Sequence, residues 1–491
     1  MEATPSVGLG KRSVLWVAAD AGGTTGVAMA AMLIMAHLME PAQFGKAAIV
    51  IGSVQFLDLF VGGLFHDGLI QNPDTDDDKF ETAFSMVQVV AAAIIAVGAA
   101  VALIGQGTGW DATAWLFVGA SLYLPFSGAL GIGNARMRRD LIFRQVANAS
   151  LVGRLAGSVL GIVFAALGLG AWSLVLQFVF IAVIQAAMLY WQSDWRPRPR
   201  RDFPTLWPIC RFAVPYAFMH SLVALRLQGF LMAVAALMGL DAAGFVNVAF
   251  RLTTTPQVAI TTAFTNLGLP LLARHQNSGP LLERSYVVLT QLVMSTTIPA
   301  FVGLGLTAND LVPVLLGDRW IEVVPLVQMV SLGIVLAFLR FPASTALRAL
   351  GHVRYSFASS AFQLAFTMGG LLLLRPQSME TAVWLWVLPT AVQLPVCIFV
   401  VCKVSSIRLR VVFGSLLPAL VATIAMVAAV MVVGEAMQAY APIYRLAAKV
   451  ACGAVTALPI LLLANSGSRD MLRGWWRNGL ARVSKSQHPA A

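Results

Sequence analysis

Two arginines lie deep inside long apolar stretches of this sequence, where a cation is costly. Arg226 lies about seventeen residues from one end of its apolar segment and about twelve from the other, and Arg251 lies about nine residues from the nearer end of the next segment. An unpaired guanidinium at such a depth in hydrocarbon costs several kcal/mol. A guanidinium also stays charged when desolvated and binds phosphate oxygens through two parallel hydrogen bonds. The two arginines therefore predict a buried site for a phosphate group.

Each arginine also has a purely structural alternative. Arg226 would form an ion pair with an acidic residue such as Asp58, and Arg251 would pair with a carboxylate or with carbonyl groups that Pro256 leaves without a hydrogen bond. Asp58 would in turn be the counter-charge of an empty arginine site, or a site of proton or sodium coupling. The counter-charge is favoured, because buried cations need one when no ligand is bound. Asp20, near the inner end of the first segment, is a second candidate for these roles.

A polar stripe runs along the segment that carries Arg251. Its members are spaced 4, 3, 4, 3 and 4 residues apart, as on one face of a helix: Asn247, Arg251, Thr254, Val258, Thr261 and Thr265. Five of the six are polar, so we expect this face to contact protein or water instead of lipid. Asn247 and Thr254, one turn on either side of Arg251, are the expected substrate contacts.

Two more arginines enter apolar segments near their inner ends. Arg340, Ser344 and Arg348 recur every four residues, and Arg154 lies at a comparable depth. They would either guide a phosphate group in from the cytoplasm or extend to lipid headgroups. We include Arg340 and Arg154 among the candidate substrate-binding residues, although a structural role is favoured for Arg154. It adjoins a GxxxGxxxG pattern that is typical of packed helices and recurs in the first segment: Gly153, Gly157 and Gly161, then Gly22 and Gly26.

The composition places these residues in a membrane protein. The sequence is 58% hydrophobic and 11% charged, where a soluble domain would carry roughly 25% charged residues. Apolar runs long enough to cross a hydrocarbon core of ~30 Å recur along the chain, and the ~10-residue alternating segments of a barrel are absent. We predict an all-α polytopic membrane protein with fourteen transmembrane helices, near residues 14–39, 44–65, 82–105, 111–133, 146–168, 171–192, 209–238, 242–272, 285–306, 321–348, 355–374, 380–403, 411–433 and 442–464.

A stretch near the start of the sequence recurs 199 positions later. Residues 36–50 and 235–249 both contain the end of an apolar segment, a turn of small residues and the start of the next segment, with Gly45 aligned on Gly244. A period this long is typical of duplicated halves. We therefore expect an N-terminal lobe at 1–195, a basic linker at 196–208, a C-terminal lobe at 209–405, two further helices at 406–465 and a basic tail at 466–491.

Lysine and arginine are distributed unequally between the two sides of these helices. Twenty-three fall on the side of the N-terminus and five on the opposite side, which puts both termini in the cytoplasm. The net charge of +11 therefore reflects topology, and no nucleic-acid partner is expected. The longest outer loop is expected around residues 307–319. The tail reads either as a basic amphipathic helix on anionic inner-leaflet lipid or as a disordered segment.

The patterns of residues do not favour catalysis or metal binding. The four cysteines lie in apolar segments without CxxC spacing, and motifs for ATP binding, zinc hydrolysis or serine hydrolysis are absent. The acidic run at 74–78 lies in a loop too short for a nucleotide-binding domain, so it is interpreted as a solvated cytoplasmic face. We expect a transporter that is not an enzyme and that uses no cofactor and no metal.

Several stretches resemble the bacterial oligosaccharide flippases, the Wzx-like polysaccharide transporters. They are VQFLDLFVGGLFHDGLIQNPDTDDDKFETAF at 54–84, GFVNVAFRL at 244–252, PLLAR at 270–274, and ALGH with Arg354 at 349–354. The resemblance implies the multidrug/oligosaccharidyl-lipid/polysaccharide exporter superfamily. It also implies two six-helix lobes around a central cavity plus two C-terminal helices, alternating access, and location in the bacterial inner membrane.

The resemblance further implies a flippase for a polyprenyl-pyrophosphate-linked oligosaccharide, used in making exopolysaccharide, capsule or O-antigen. A polysaccharide polymerase and glycosyltransferases would be its partners. One alternative is a cation-coupled exporter of drugs or metabolites on the same fold, which predicts an acidic cavity. Another is a membrane glycan polymerase or ligase, which predicts a long outer loop with catalytic residues.

Overall fold

A computed structural model of the chain describes residues 11–62, 69, 76–107, 111–140, 142–193, 195–200, 202, 206–405 and 407–464. Within these residues the chain is built from α-helices and short connections. The helices are α1 (Lys11–Leu38), α2 (Pro41–Val61), α3 (Asp77–Ile104), α4a (Asp111–Ser121), α4b (Tyr123–Arg139), α5 (Phe143–Ala166), α6 (Ala171–Gln192), α7 (Trp207–Met238), α8 (Leu240–Arg274), α9 (Gly279–Leu316), α10 (Val323–Ala349), α11 (Val353–Leu374), α12 (Met379–Val404), α13 (Leu409–Ala436) and α14 (Pro442–Ala464).

Twelve of these segments, with α4a and α4b taken together, are long and apolar enough to cross a membrane. The other two are α1, whose described apolar part is Gly22–Leu38, and α8, which its threonines and Arg251 make more polar. Each predicted helix has a counterpart, so the predicted all-helical polytopic fold is confirmed for the part of the chain that the structure describes. The chain is a multi-pass membrane protein.

The ends of the helices follow from local sequence. Pro41 occupies the first position of α2, and Glu40 and Gln43 form a reciprocal capping box there. The side chain of Asp76 accepts a hydrogen bond of 3.0 Å from the amide of Lys79 and so caps α3. α7 ends at Gly239, whose φ of 96° is favourable for glycine. These signals place short, sharp connections between neighbouring helices.

The chain forms two compact units, Met1–Val248 with Thr367–Met379, and Ala249–Phe366 with Glu380–Ala491. In the first unit α5 packs on α1 and α6, and α2 packs on α7. In the second unit α9 packs on α10, α13 and α14. Because α7 and the start of α8 group with the first unit, the boundary comes later than the expected linker at 196–208. The division into lobes at 1–195 and 209–405 stays a prediction.

The two glycines of the predicted repeat contact each other within the first unit. A Cβ on Gly45 would overlap the carbonyl oxygen of Leu240, and a Cβ on Gly244 would overlap the carbonyl oxygen of Pro41. The contact is reciprocal in the register of 199 positions, since Pro41 corresponds to Leu240 as Gly45 does to Gly244. A two-fold-related pair of hairpins produces such a reciprocal contact. The contact therefore supports the duplication inferred from the sequence.

Glycine packing faces are predicted on α5 and on α1, and the described residues show only the one on α5. Each of the three α5 glycines lies against α6: a Cβ on Gly153 or Gly157 would collide with backbone or side-chain atoms of residues 181–185, and one on Gly161 with Gln177. This packing face is confirmed. The predicted face of α1 is wrong, because a Cβ on Gly22 or Gly26 meets nothing within 4 Å among the described residues. Gly23 is the α1 glycine that contacts α5, through Leu151.

Candidate functional site

Arg226 lies in the middle of α7 and is 8% exposed. Its Nε donates a hydrogen bond of 3.1 Å to Oγ1 of Thr367, which is fully buried on the part of α11 that belongs to the first unit. On the same stretch of α7, the side chain of Gln228 packs against Gly52 of α2, where a Cβ would not fit. The guanidinium is therefore anchored by Thr367 of α11. A fixed guanidinium can offer its fork to an anion at low entropic cost.

Asp58 belongs to a second polar cluster in the first unit. Ser127 of α4b donates a hydrogen bond of 2.8 Å to Oδ2 of Asp58, and the Tyr123 hydroxyl is a second neighbour of the carboxylate. Oδ1 is buried and has no hydrogen-bond partner in the described part of the chain. Arg154 of α5 is close enough to Tyr123 for an electrostatic interaction. The structure thus places Tyr123 between two candidates, with Asp58 as one neighbour and Arg154 as another.

The alternative in which Arg226 pairs with Asp58 is not observed among the described residues, since the neighbours of Asp58 are Ser127 and Tyr123. Sequence reasoning missed both of these neighbours. Their signal was the spacing of four residues, which puts two hydroxyls on one face of a predicted membrane helix. Such a pair is too common in apolar helices to have been singled out on its own.

The polar stripe of α8 is only partly buried. Asn247 is 9% exposed, and its buried Oδ1 has no hydrogen-bond partner in the described residues. Arg251 and Thr254 are partly buried, whereas Val258 is 63% exposed. The Thr254 hydroxyl donates to the carbonyl of Phe250 at 2.6 Å. Because its single proton is used there, Thr254 can only accept a hydrogen bond from a substrate, for example from a sugar hydroxyl.

Several side-chain hydroxyls bond to backbone carbonyls in the turns around Arg251. The hydroxyls of Thr253, Thr254 and Thr255 all bond to carbonyls three or four residues earlier, and Pro256 has no amide hydrogen to donate. Threonine back-bonding of this kind weakens and bends a helix, as does proline. Arg251 therefore lies beside a stretch of α8 whose hydrogen bonding favours a bend.

Arg340 of α10 joins a buried amide and hydroxyl network in the second unit. Its Nη1 donates to Oγ of Ser359 on α11 at 3.0 Å, and Ser359 donates to Oε1 of Gln393 on α12 at 2.9 Å. Gln393 returns a hydrogen bond of 2.8 Å to the Ser359 carbonyl, and Gln363 adds one of 2.7 Å to Gln393 Oε1. Ser359 and Gln393 lie in largely apolar helices, and the sequence analysis did not single them out.

The side chains of other candidates lie outside the described residues. Asp20 lies in α1, but its side chain is outside the described residues, as is the tail at 466–491. The described residues contain no cluster that could hold a metal ion.

The described part of the acidic run is solvated as predicted, since Asp76, Asp77 and Asp78 are exposed, but its carboxylates also have partners. Asp76 caps α3, Asp77 forms an ion pair with Arg136, and Asp78 forms one with Arg200. Asp77 thus joins α4b, and Asp78 the linker, to the start of α3.

Comparison with known proteins identifies the family and the fold. Residues 34–325 match the family described as Polysaccharide biosynthesis protein. The succinoglycan biosynthesis transport protein ExoT of Rhizobium meliloti is 25% identical over 325 residues, which are 65% of each chain. The lipopolysaccharide biosynthesis protein WzxC of Escherichia coli is 20% identical over 69% of each chain. The match thus spans slightly less than two thirds of the length of ExoT.

The fold is also that of a solved flippase. The inward closed conformation of the lipid II flippase MurJ superposes with a TM-score of 0.72 at 10% identity, covering 94% of this chain and 100% of MurJ. These names agree with the prediction of a transporter and not of an enzyme. Since the family match covers more than half of the chain, the chain belongs to the polysaccharide biosynthesis protein family, and the family predicted from its Wzx-like stretches is confirmed.

Proposed function

We propose that this protein is a flippase that moves a polyprenyl-pyrophosphate-linked oligosaccharide from the cytoplasmic to the periplasmic leaflet by alternating access. The observation that carries the proposal is the buried, anchored Arg226 on a fold similar to that of a lipid II flippase. The names of ExoT and WzxC support cargo for exopolysaccharide, capsule or O-antigen. In this account Arg226 and Arg251 bind the pyrophosphate through their guanidinium forks.

The proposal that both arginines bind one pyrophosphate rests on their positions in the sequence, at similar distances from one turn. Gly239 forms the turn between α7 and α8, with Arg226 thirteen residues before it and Arg251 twelve residues after it. At 1.5 Å per residue these are about 20 Å and 18 Å along the two helices. Two guanidiniums at similar distances from one turn suit a ligand with two linked phosphates.

The remaining candidates take supporting roles in this proposal. Asn247 and Thr254 contact the first sugar or the phosphate, and Arg340 and Arg154 lie nearer to the cytoplasmic entrance. Asp58 serves as the counter-charge of the empty site, with Asp20 as the other acidic candidate. That role follows from the need of buried cations for a counter-charge when no ligand is bound.

Further parts of the proposal concern location and partners. Both termini lie in the cytoplasm, the bacterial inner membrane holds the protein, and the tail at 466–491 contacts anionic inner-leaflet lipid. Glycosyltransferases act on the glycan before transport, and a polymerase acts on it afterwards.

One observation favours the runner-up, a cation-coupled exporter. The buried Oδ1 of Asp58 lacks a hydrogen-bond partner among the described residues, and a proton or sodium ion would satisfy it. A glycan polymerase or ligase has less support, because α9 continues to Leu316 through most of the expected outer loop. Transport of a drug driven by a cation gradient would favour the exporter.

Single alanine variants test the pyrophosphate site. We expect Arg226→Ala and Arg251→Ala each to abolish polysaccharide export while membrane abundance stays normal, and lysine at either position to restore export in part, because an ammonium keeps the charge but loses the fork. Arg354→Ala, which removes an exposed arginine, is the matched control and should export normally. Normal export by stably expressed Arg226→Ala and Arg251→Ala proteins would place the pyrophosphate elsewhere.

A further inference from the structure

Two arginines on one face of α10 are incompletely satisfied by the protein. Arg340 and Arg348 are eight residues apart, about two turns of helix, and their charges are close enough to repel. Both are partly buried. Arg340 donates to Ser359 and Arg348 donates to Oγ1 of Thr345 at 3.1 Å, but Nε of each is buried without a hydrogen-bond partner in the described chain. Buried donors of a cation that stay unpaired are costly.

Neither arginine has a carboxylate within ion-pair distance among the described residues. Another buried charge in the same unit is neutralised by partners. Asp310 of α9 is 1% exposed and forms ion pairs with both Arg445 and Lys449 of α14. Arg445 and Lys449 are thus matched by a buried acid. The pair on α10 lacks the negative charge that its burial requires.

We propose that Arg340 and Arg348 form a binding site for a phosphate anion. A carboxylate has two oxygens and matches one guanidinium fork, whereas a phosphate group has enough oxygens to accept from both. Lipid headgroups and soluble phosphates share this chemistry. The site deepens the proposed function, which places Arg340 near the cytoplasmic entrance, by adding Arg348 and a phosphate ligand; it rests on that function only for Arg340, and its test does not depend on Arg226 and Arg251.

The network behind Arg340 gives the site its shape. Gln393 is 6% exposed and holds Ser359, which is 7% exposed, through two hydrogen bonds. Ser359 in turn accepts from Nη1 of Arg340 and leaves the other side of the fork for a ligand. Ser359 is therefore a positioning residue, and its loss should weaken anion binding without removing a charge.

Direct binding measurements test the proposal on the full chain purified in detergent. The probe is inorganic pyrophosphate, titrated calorimetrically into the wild-type protein and into an Arg226→Ala, Arg251→Ala protein that lacks the proposed cavity site. In the Arg226→Ala, Arg251→Ala background we expect Arg340→Gln and Arg348→Gln each to weaken binding at least about tenfold, and Ser359→Ala to weaken it less; one lost charge-assisted hydrogen bond of ~1.5–3 kcal/mol corresponds to such a change. In the otherwise wild-type protein the same variants should lower the number of bound pyrophosphates from two to one. Arg354→Gln is the control and should bind normally.

A second arm identifies the source of the phosphate. Retention of phosphatidylglycerol against phosphatidylcholine in nanodiscs is measured by native mass spectrometry for the same variants. Loss of phosphatidylglycerol retention alone assigns the site to a lipid headgroup, and loss of pyrophosphate binding alone assigns it to a soluble phosphate.

Thermal unfolding without ligand separates this role from a structural one. Removing an unmatched buried charge should leave the unfolding temperature of Arg340→Gln unchanged or raised. Unchanged binding of both probes by Arg340→Gln and Arg348→Gln would overturn the proposal. Failure of these tests would leave the export phenotype of Arg226 and Arg251 untouched, so the two proposals fail separately.

Discussion

Replacing Gly244 by alanine tests whether the contact between the first turns of α2 and α8 is a closed gate. The predicted topology puts these ends at the outer face, so the proposed alternating access would open and close the protein near Pro41 and Asp241. In the structure the two ends meet backbone to backbone, with no room for a side chain at Gly45 or Gly244. An added methyl group should therefore disfavour this arrangement and leave the separated one unaffected.

The size of the effect follows from the contact distances. A Cβ on Gly244 would lie 2.7 Å from the carbonyl carbon of Pro41, whereas carbon atoms pack at about 3.5 Å. The two helix ends must therefore separate by about 0.8 Å or more at this contact, since the overlap with the carbonyl oxygen is larger. Overpacking of this kind costs about 1–3 kcal/mol. The population of the closed arrangement should fall by about 5- to 150-fold.

Cysteine cross-linking measures that population. Pro41→Cys and Asp241→Cys are introduced together after the four native cysteines are replaced, and the rate of cross-linking in membranes is compared with and without Gly244→Ala. We expect the variant to cross-link more slowly and to export less polysaccharide. Gly45→Ala should behave in the same way, because its contacts are reciprocal.

Gly22→Ala is the matched control, since a Cβ there meets nothing within 4 Å among the described residues. It should change neither cross-linking nor export. Membrane abundance of each variant is measured in parallel, so that a folding defect is recognised. If well-folded Gly244→Ala and Gly45→Ala proteins cross-link and export like the parent, the glycine contact is not a gate.

Two further predictions concern stability and topology. Asp310→Asn should lower the free energy of unfolding by about 3–5 kcal/mol, because it leaves Arg445 and Lys449 without their buried partner. Asp77→Asn, which removes an exposed ion pair, should lower it by under ~1 kcal/mol. Equal effects of the two variants in chemical denaturation would contradict this prediction. Reporter fusions should report the cytoplasm at Arg139, Arg200, Asn277 and Lys485, and the outer side at Gly109, Leu240, Asp318 and Gln377. One inversion would refute the helix count.

The helices could be predicted from the sequence because length and hydropathy alone determine which segments cross a membrane. Errors arose where a charged residue was read as a sign of a loop. The expected outer loop at 307–319 is helical as far as Leu316, because Arg445 and Lys449 neutralise Asp310 and allow the charged residue to stay in α9. A partner that lies 135 residues away in sequence leaves no local signal.

The candidate site was predictable only in part, for a similar reason. Burial of Arg226 followed from its position in an apolar segment, and the structure places it at 8% exposure. Its partner Thr367 and the neighbours of Asp58 could not be read from the sequence, because isolated hydroxyls in apolar helices have no distinctive spacing. The contact of Gly45 with Gly244 was foreseeable in principle from the repeat, since equivalent residues near a two-fold axis must meet.

Translocation in proteoliposomes tests the central claim most directly. The purified protein is reconstituted with a polyprenyl-pyrophosphate-linked oligosaccharide, and an impermeant glycosidase outside the vesicles measures how fast the glycan confined to the inner leaflet becomes accessible. We predict accessibility well above that of protein-free vesicles for the wild type, and the protein-free rate for Arg226→Ala and Arg251→Ala. A wild-type rate equal to that of empty vesicles, from protein that is folded and reconstituted in both orientations, would contradict the assignment of this chain as a flippase.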